Sequence, residues 1–446
     1  VTRPSNTPSS SALLYERALK TLPGGVSRNT VLRKPHPLYA ESATGCRVTD
    51  IEGIERIDFA NNMASLIHGH AHPAVVEAVT AQLQKGTAFT LATEIEIEYA
   101  EHLCGRNGGF EKLRFVNSGT EAVMGSLKAA RAFSGRAKIA KVEGAYHGLY
   151  DYAEVSQTSK PANWGSADHP ATVPVAYGTP RSVLDDVVVI PFNDPDGAVA
   201  ILDDHRGELA CVLVDPMPHR VGLNPATSSF VSALREWTST DGALLVFDEV
   251  ITFRSQFGGA QCWYDEVPDL TAMGKLIGGG FPVGAIAGRS DVMDVMNPLA
   301  DNVLFPHSGT FSANPITMTA GLVAMEMFDR PAVEKVNHLA SRAVEGIERA
   351  IESTGVVACV TGGGSMFRVH LKDQPPRNYR EAFVDPREAA RLKLLLDHLL
   401  DQGFMMINTC SACISTVMTT AEIDALVAAF ESGFAELVNP SPQYGG

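Results

Sequence analysis

The chain has no run of about 18 uninterrupted apolar residues, so no segment of it reads as a membrane span. It is also short of positive charge. Thirty-six Lys and Arg stand against 51 Asp and Glu, a formal net charge of −15. That balance argues against nucleic acid and anionic membrane surfaces as partners. Cysteine is sparse and scattered, at positions 46, 104, 211, 262, 359, 410 and 413. An odd count without a framework fits a reducing compartment, and the expected location is cytoplasmic. Only Cys410 and Cys413 form a Cys-x-x-Cys, and no second ligand pair lies nearby, so no metal is expected. Internal repeats and low-complexity core segments are missing too. The start, Val1 to Ser11, is polar and reads as a disordered lead-in rather than a signal peptide. The tail from Asn439 to Gly446 reads as a fraying end.

What remains is ample. A chain of 446 residues with 45% hydrophobic content can build two domains with a full core. A first helix runs from Ser11 to Leu22 and stops at Pro23-Gly-Gly25, and residues 38–59 read as a small strand meander. Further helical patterns occupy 73–85, 94–104, 120–133, 228–239, 316–327 and 333–353. Short apolar strands lie among them, at 112–115, 138–142, 187–190, 211–214, 244–247 and 283–287. Alternation of this kind predicts an α/β fold: a mostly parallel sheet with helices on both faces. The last third changes to strands at 356–360, 363–369 and 404–407 with helices at 386–402 and 420–437, a smaller α+β unit. The N-terminal meander has no partner of its own and is expected to join it. The expected division is 1–65, joining the small domain; 66–328, the large cofactor-binding domain; and 329–446, the small domain.

The most informative residues are Asp248 and Lys275. Ala243 to Phe247 is a continuous apolar run that stops at Asp248 and Glu249, as a buried strand delivering charge at its end does. Lys275 lies among small and apolar residues in Leu270 to Gly280, read as a dry glycine-rich loop. A strand-end acid and a shielded lysine are what pyridoxal 5'-phosphate (PLP) chemistry needs. The lysine forms a Schiff base with the cofactor, and the acid keeps the pyridine nitrogen protonated.

Three turns add to this. Asn117-Ser-Gly-Thr-Glu121 joins a strand to a helix, and its free N–H groups and hydroxyls suit a phosphate; a plain helix cap would look the same. It lacks the Gly-Lys-Ser/Thr ending of a nucleotide loop and the spacing of a dinucleotide fingerprint. Gly144-Ala-Tyr-His-Gly148 could set Tyr146 and His147 against a planar ring, or hold a buried Tyr–His pair. His307-Ser-Gly-Thr-Phe311 offers Ser308 and Thr310 as further phosphate donors, or is a simple turn. They converge only at the carboxyl edge of one sheet, where ligands of open α/β sheets bind.

Together with Pro23-Gly-Gly25, His68 to Pro73, Pro268 to Thr271 and the loop His307 to Pro315, these motifs make the chain resemble the class III (ω) aminotransferases of PLP fold type I, over nearly its whole length. The branch is similar to that of glutamate-1-semialdehyde aminomutase and the β-phenylalanine (β-amino acid) transaminases. The resemblance implies Lys275 as the cofactor-bearing lysine and proton-moving base. It implies Asp248 at the pyridine nitrogen, Val250 and Tyr146 on opposite ring faces, and Ser118, Gly119 and Thr120 at the phosphate. Thr310 would reach the phosphate of the other subunit, making a homodimer with shared sites. Arg28 matches a carboxylate-binding arginine, with Arg33 and Arg220 ranked below it. Two departures stand out. Asp215-Pro216 replaces the usual Glu-Pro, and Ile407 to Thr416 carries neither a gate glutamate, whose place falls near Ser411, nor a switching arginine. The expected activity is amino transfer from a carboxylate-bearing amine, such as a β-amino acid, to a keto acid. The alternatives are a 2,1-aminomutase and a non-catalytic PLP-binding relative.

Overall fold

The computed structural model describes residues 9–439. Most of the polar lead-in and nearly all of the tail therefore lie outside the described residues. Ser9, at the end of that lead-in, caps the helix Ser10–Ala18 by accepting from the Ala12 N–H.

Strands β1 (Ala40–Thr44), β2 (Arg47–Asp50) and β3 (Glu55–Asp58) form the antiparallel meander. The large sheet takes β4 (Lys112–Val116), β5 (Lys138–Val142), β6 (Val187–Ile190), β7 (Leu209–Val214), β8 (Leu244–Asp248), β9 (Leu270–Gly274) and β10 (Gly284–Gly288), in the order β4-β10-β9-β8-β7-β5-β6. Only β10 runs antiparallel to its neighbours. Every residue of β7 and β8 is buried, because helices cover both faces. Alternation sorts β8 between two cores. Leu244 and Val246 pack with Val123 and Leu127 of the helix Gly119–Ser134. Leu245 and Phe247 pack with Phe230 and Leu234 of the helix Ser228–Asp241.

Strands β11 (Cys359–Gly363), β12 (Met366–His370) and β14 (Ser411–Cys413) make a third, antiparallel sheet. Strand β13 (Phe404–Met405) instead pairs in parallel with β3, so the N-terminal meander and a strand of the C-terminal third share one sheet. The helices Arg330–Thr354, Pro386–Asp401 and Thr420–Val438 cover this region through one core that includes Ala343, Leu395 and Phe430.

Among the departures from the sequence reading, two show a clear physical cause. The supposed loop Leu270–Gly280 divides into β9, buried throughout, and a 3-10 turn Lys275–Gly278. Its small residues reflect crowding at the sheet's centre: a Cβ on Gly274 would lie 3.3 Å from the Gly119 Cα. The helix Pro195–Asp203 was missed because Pro-Asp-Gly reads as a turn. Here Pro195 opens the helix, and Asp194 caps it by accepting from Gly197 N at 3.0 Å. Among the described residues no helix is long and apolar enough to cross a membrane.

Candidate active site

Strands β4, β5, β7, β8 and β9 all end at the same edge of the large sheet. Asp248 is the last residue of β8, and it parts from Glu249 there. Glu249 turns into the protein and accepts from Ala260 N at 2.6 Å and Gln261 N at 2.9 Å, a structural role. Asp248 accepts from Val250 N at 3.0 Å and from His147 Nδ1 at 2.7 Å. His147 is buried, and burial lowers its pKa despite the partial restoration by Asp248. Its Nδ1–H therefore donates to Asp248, while its buried Nε2 finds no partner.

Lys275 follows β9 directly, at φ +49°, in the left-handed region unusual for a side-chain-bearing residue. Burial lowers its pKa, against the opposing pull of Asp248 and then Asp215. An amine so shifted is more often neutral, as a nucleophile or base must be. Asp215 is pushed well above the usual carboxylate range, by burial first and by Asp248 second. One of its oxygens accepts from Met217 N at 2.9 Å.

Ser118 caps the helix Gly119–Ser134, accepting from Glu121 N at 3.1 Å, and Glu121 in turn accepts from Asn117 N at 2.8 Å. Ser118 therefore caps the helix while its hydroxyl hydrogen remains available to donate, and the helix's first N–H groups, at Gly119 and Thr120, have no protein partner among the described residues, as an anion at a helix start requires. Packing brings this turn to the acid and lysine. A Cβ on Gly119 would meet Val250 at 2.7 Å, and one on Gly148 would meet Thr120 Oγ1 at 2.5 Å. Ser118, Gly119, Thr120, Val250, Asp248, His147 and Lys275 thus form one cluster.

Tyr146 is 39% exposed and carries the Arg220 guanidinium 5.2 Å from its ring centroid. Its loop is fixed from below by Lys141, fully buried, which donates to the carbonyls of Ala145 at 3.1 Å and Val155 at 2.7 Å. From the other side Arg380 forks onto Glu143 at 2.9 and 3.1 Å. Neither support was read from the sequence.

Thr310 lies in an exposed turn; its neighbour Gly309 sits beside Asn117. Arg28 is exposed and donates to Asn62 Oδ1 at 2.7 Å. The adjacent Asn61 donates to Cys413 O at 2.7 Å, and Cys413 is one of the groups acting on Lys275. Arg33 pairs with Asp397 at 3.0 Å, an ordinary structural ion pair.

The residues fit PLP: unclaimed N–H groups at a helix start, a glycine-lined cradle against Val250, a strand-end acid and a lysine amine with no hydrogen bond. Comparison with known proteins agrees. Residues 30–434 match the family model for class III aminotransferases. A glutamate-1-semialdehyde 2,1-aminomutase from Methanothermobacter thermautotrophicus is 36% identical over 96% of this chain and 99% of its own. The structure of an omega-transaminase from Sphaerobacter thermophilus is 45% identical, with TM-score 0.95, covering 97% of this chain and 98% of that one. A β-phenylalanine aminotransferase from Variovorax paradoxus is 33% identical, with TM-score 0.82, covering 95% and 93%.

Proposed function

The chain belongs to the class III aminotransferases, which use PLP, and from that premise we propose that it is a transaminase moving an amino group from a carboxylate-bearing amine to a keto acid. β-Amino acids are the donor class we favour, in line with the similarity to the Variovorax enzyme. The observation that carries the transaminase reading is Ser411. It is buried in β14 with its hydroxyl 2.9 Å from that of Thr409, and no carboxylate occurs anywhere in Ile407 to Thr416. An aminomutase must retain its half-converted substrate, and in the resembling branch a gate acid at this place serves that end.

When bound, PLP supplies an electron sink and holds the amino group between two half-reactions. The chain's own residues do the rest. Asp248, oriented by His147 and by the Val250 N–H, holds a proton on the cofactor's ring nitrogen. Gly119 and Thr120 bind the phosphate at the helix start. Val250 and Tyr146 bound the ring. Lys275, depressed in pKa by burial, moves the proton at the amine-bearing carbon. Arg28 receives a substrate carboxylate. Thr310 serves the site of a second copy, so the working form is a homodimer.

The test is the visible absorbance of the holoenzyme. Bleaching by a β-amino acid and recovery on adding a keto acid support the proposal. The similarity to an aminomutase gives the second reading: turnover of glutamate 1-semialdehyde with no added acceptor, and no recovery by keto acids, would establish that instead.

A further inference from the structure

We propose that Arg368 and Arg220, on either side of His219, form an anion subsite that takes the carboxylate of the keto-acid acceptor; this deepens the transaminase reading and rests on it. Arg368 lies in β12 at 4% exposure. Its Nη1 donates to the His219 carbonyl at 3.1 Å, and its Nε has no partner. The other deeply buried arginines differ. Arg106 donates through Nε, Nη1 and Nη2 to the carbonyls of Phe257, Met325 and Phe328. Arg254 does likewise, to Ser365 Oγ and the carbonyls of Ala64 and Ile414. In those two every guanidinium nitrogen has a partner, whereas the buried Nε of Arg368 has none. A guanidinium buried with donors to spare is costly unless an anion completes it. Glu388, the acid acting on Arg368, is already bonded to Lys372 at 2.7 Å.

Register places this cation. Arg368 pairs with Ser411 across β12 and β14, so the two side chains share a face. Ser411 Oγ lies 2.9 Å from Thr409 Oγ1, which lies 3.0 Å from His219 Nε2. Ile407 to Thr416 has no basic residue, and the neighbouring strand brings one to it. His219 records the surrounding charge: burial, then Arg368, Arg220 and Lys275 in turn, hold it down to about 3, a neutral ring among three cations. Lys275 belongs to the same electrostatic neighbourhood: its charge bears on His219, and Cys413, two residues along β14 from Ser411 and on the same face, bears on it. Arg220 stands at the other side, over Tyr146. A small acid bound here has its carboxylate among cations and hydroxyls and its carbonyl toward Lys275.

The experiment compares wild-type holoenzyme with Arg368→Gln and Arg368→Lys. Recovery of the bleached enzyme is timed with pyruvate and with butanal, an acceptor of similar length without a carboxylate. Arg368→Gln should lose efficiency with pyruvate by roughly 30-fold or more beyond its loss with butanal, and Arg368→Lys should regain part of it. Calorimetric titration with inert maleate should show weakening of the same order. Equal losses with both acceptors, or unchanged maleate affinity, would overturn the subsite. A wild type that accepts amino groups from no donor would overturn the transaminase reading alone, and maleate binding would still decide the subsite.

Discussion

Replacing Asp248 by Asn tests the centre of the site with one atom changed. Wild-type Asp248 accepts two hydrogen bonds, from Val250 N and His147 Nδ1. Asn offers one acceptor and one donor, so it keeps one of these bonds: either the Val250 N–H loses its partner, or His147 moves its proton to Nε2, an atom that has none. The charge-assisted interaction lost at the cofactor is worth about 1.5–3 kcal/mol, or about 10- to 150-fold in PLP retention. A neutral amide also cannot hold the ring proton, so kcat should fall further than retention does. The electrostatics make a separate demand. Asp248 raises the pKa of both Asp215 and Lys275. Without it, Asp215 should ionise at lower pH and Lys275 should lose its proton more readily. Infrared difference spectra of the apoprotein report the first, through the carbonyl stretch of a protonated carboxyl group. Equilibrium dialysis and single-turnover kinetics report the rest. An unchanged kcat with merely weaker cofactor binding, or an Asp215 band titrating as in wild type, refutes the reasoning.

Lys275→Ala should melt like wild type yet lose turnover by more than the roughly 10²–10⁴ of a general base alone. Mixed with Thr310→Ala under conditions of subunit exchange, it should regain activity; no gain despite demonstrated exchange removes Thr310 from the partner's site. Arg28→Ala should raise KM for a carboxylate donor roughly 30-fold over its effect on a plain amine, and equal effects on the two donors would exclude it. Lys141 gives a stability test. Burial lowers its pKa from 10.5 to about 7, with Glu143 opposing and Arg220 assisting. Between those values the unfolded chain binds more protons than the folded one, so stability gains a contribution that grows as pH rises through the window. Lys141→Met should remove that slope, read from urea midpoints at about pH 7 and about pH 9.5; an identical slope in both proteins would contradict the assignment.

The sequence made Asp248 and Lys275 legible because each breaks an apolar context, which is a local signal. Most of the longer helices were legible for the same reason, through periodicity and caps, the helix Pro195–Asp203 excepted. Strand β9 was not, since Leu-Thr-Ala-Met-Gly owes its small residues to crowding between neighbours distant in sequence. Glu249 looked like the twin of Asp248 until β8 ended and sent it inward to Ala260. Arg368 in Met-Phe-Arg-Val-His reads as ordinary alternation. Its interest comes only from its register with Ser411 and from a buried Nε without a partner, and both are tertiary facts. Lys141 and His219 are alike in this respect: what buries and surrounds them is assembled from remote segments.

The parallel pairing of β3 with β13 also sets a timetable. During synthesis β3, ending at Asp58, emerges about three-quarters of the chain ahead of the strand that covers its edge, which begins at Phe404. At about 5–20 residues per second the delay is some tens of seconds. Through that interval the meander presents an open strand edge, the kind of surface on which nascent chains stick to one another. Yield of folded protein should therefore depend on translation speed and on edge-shielding chaperones more than its final stability suggests.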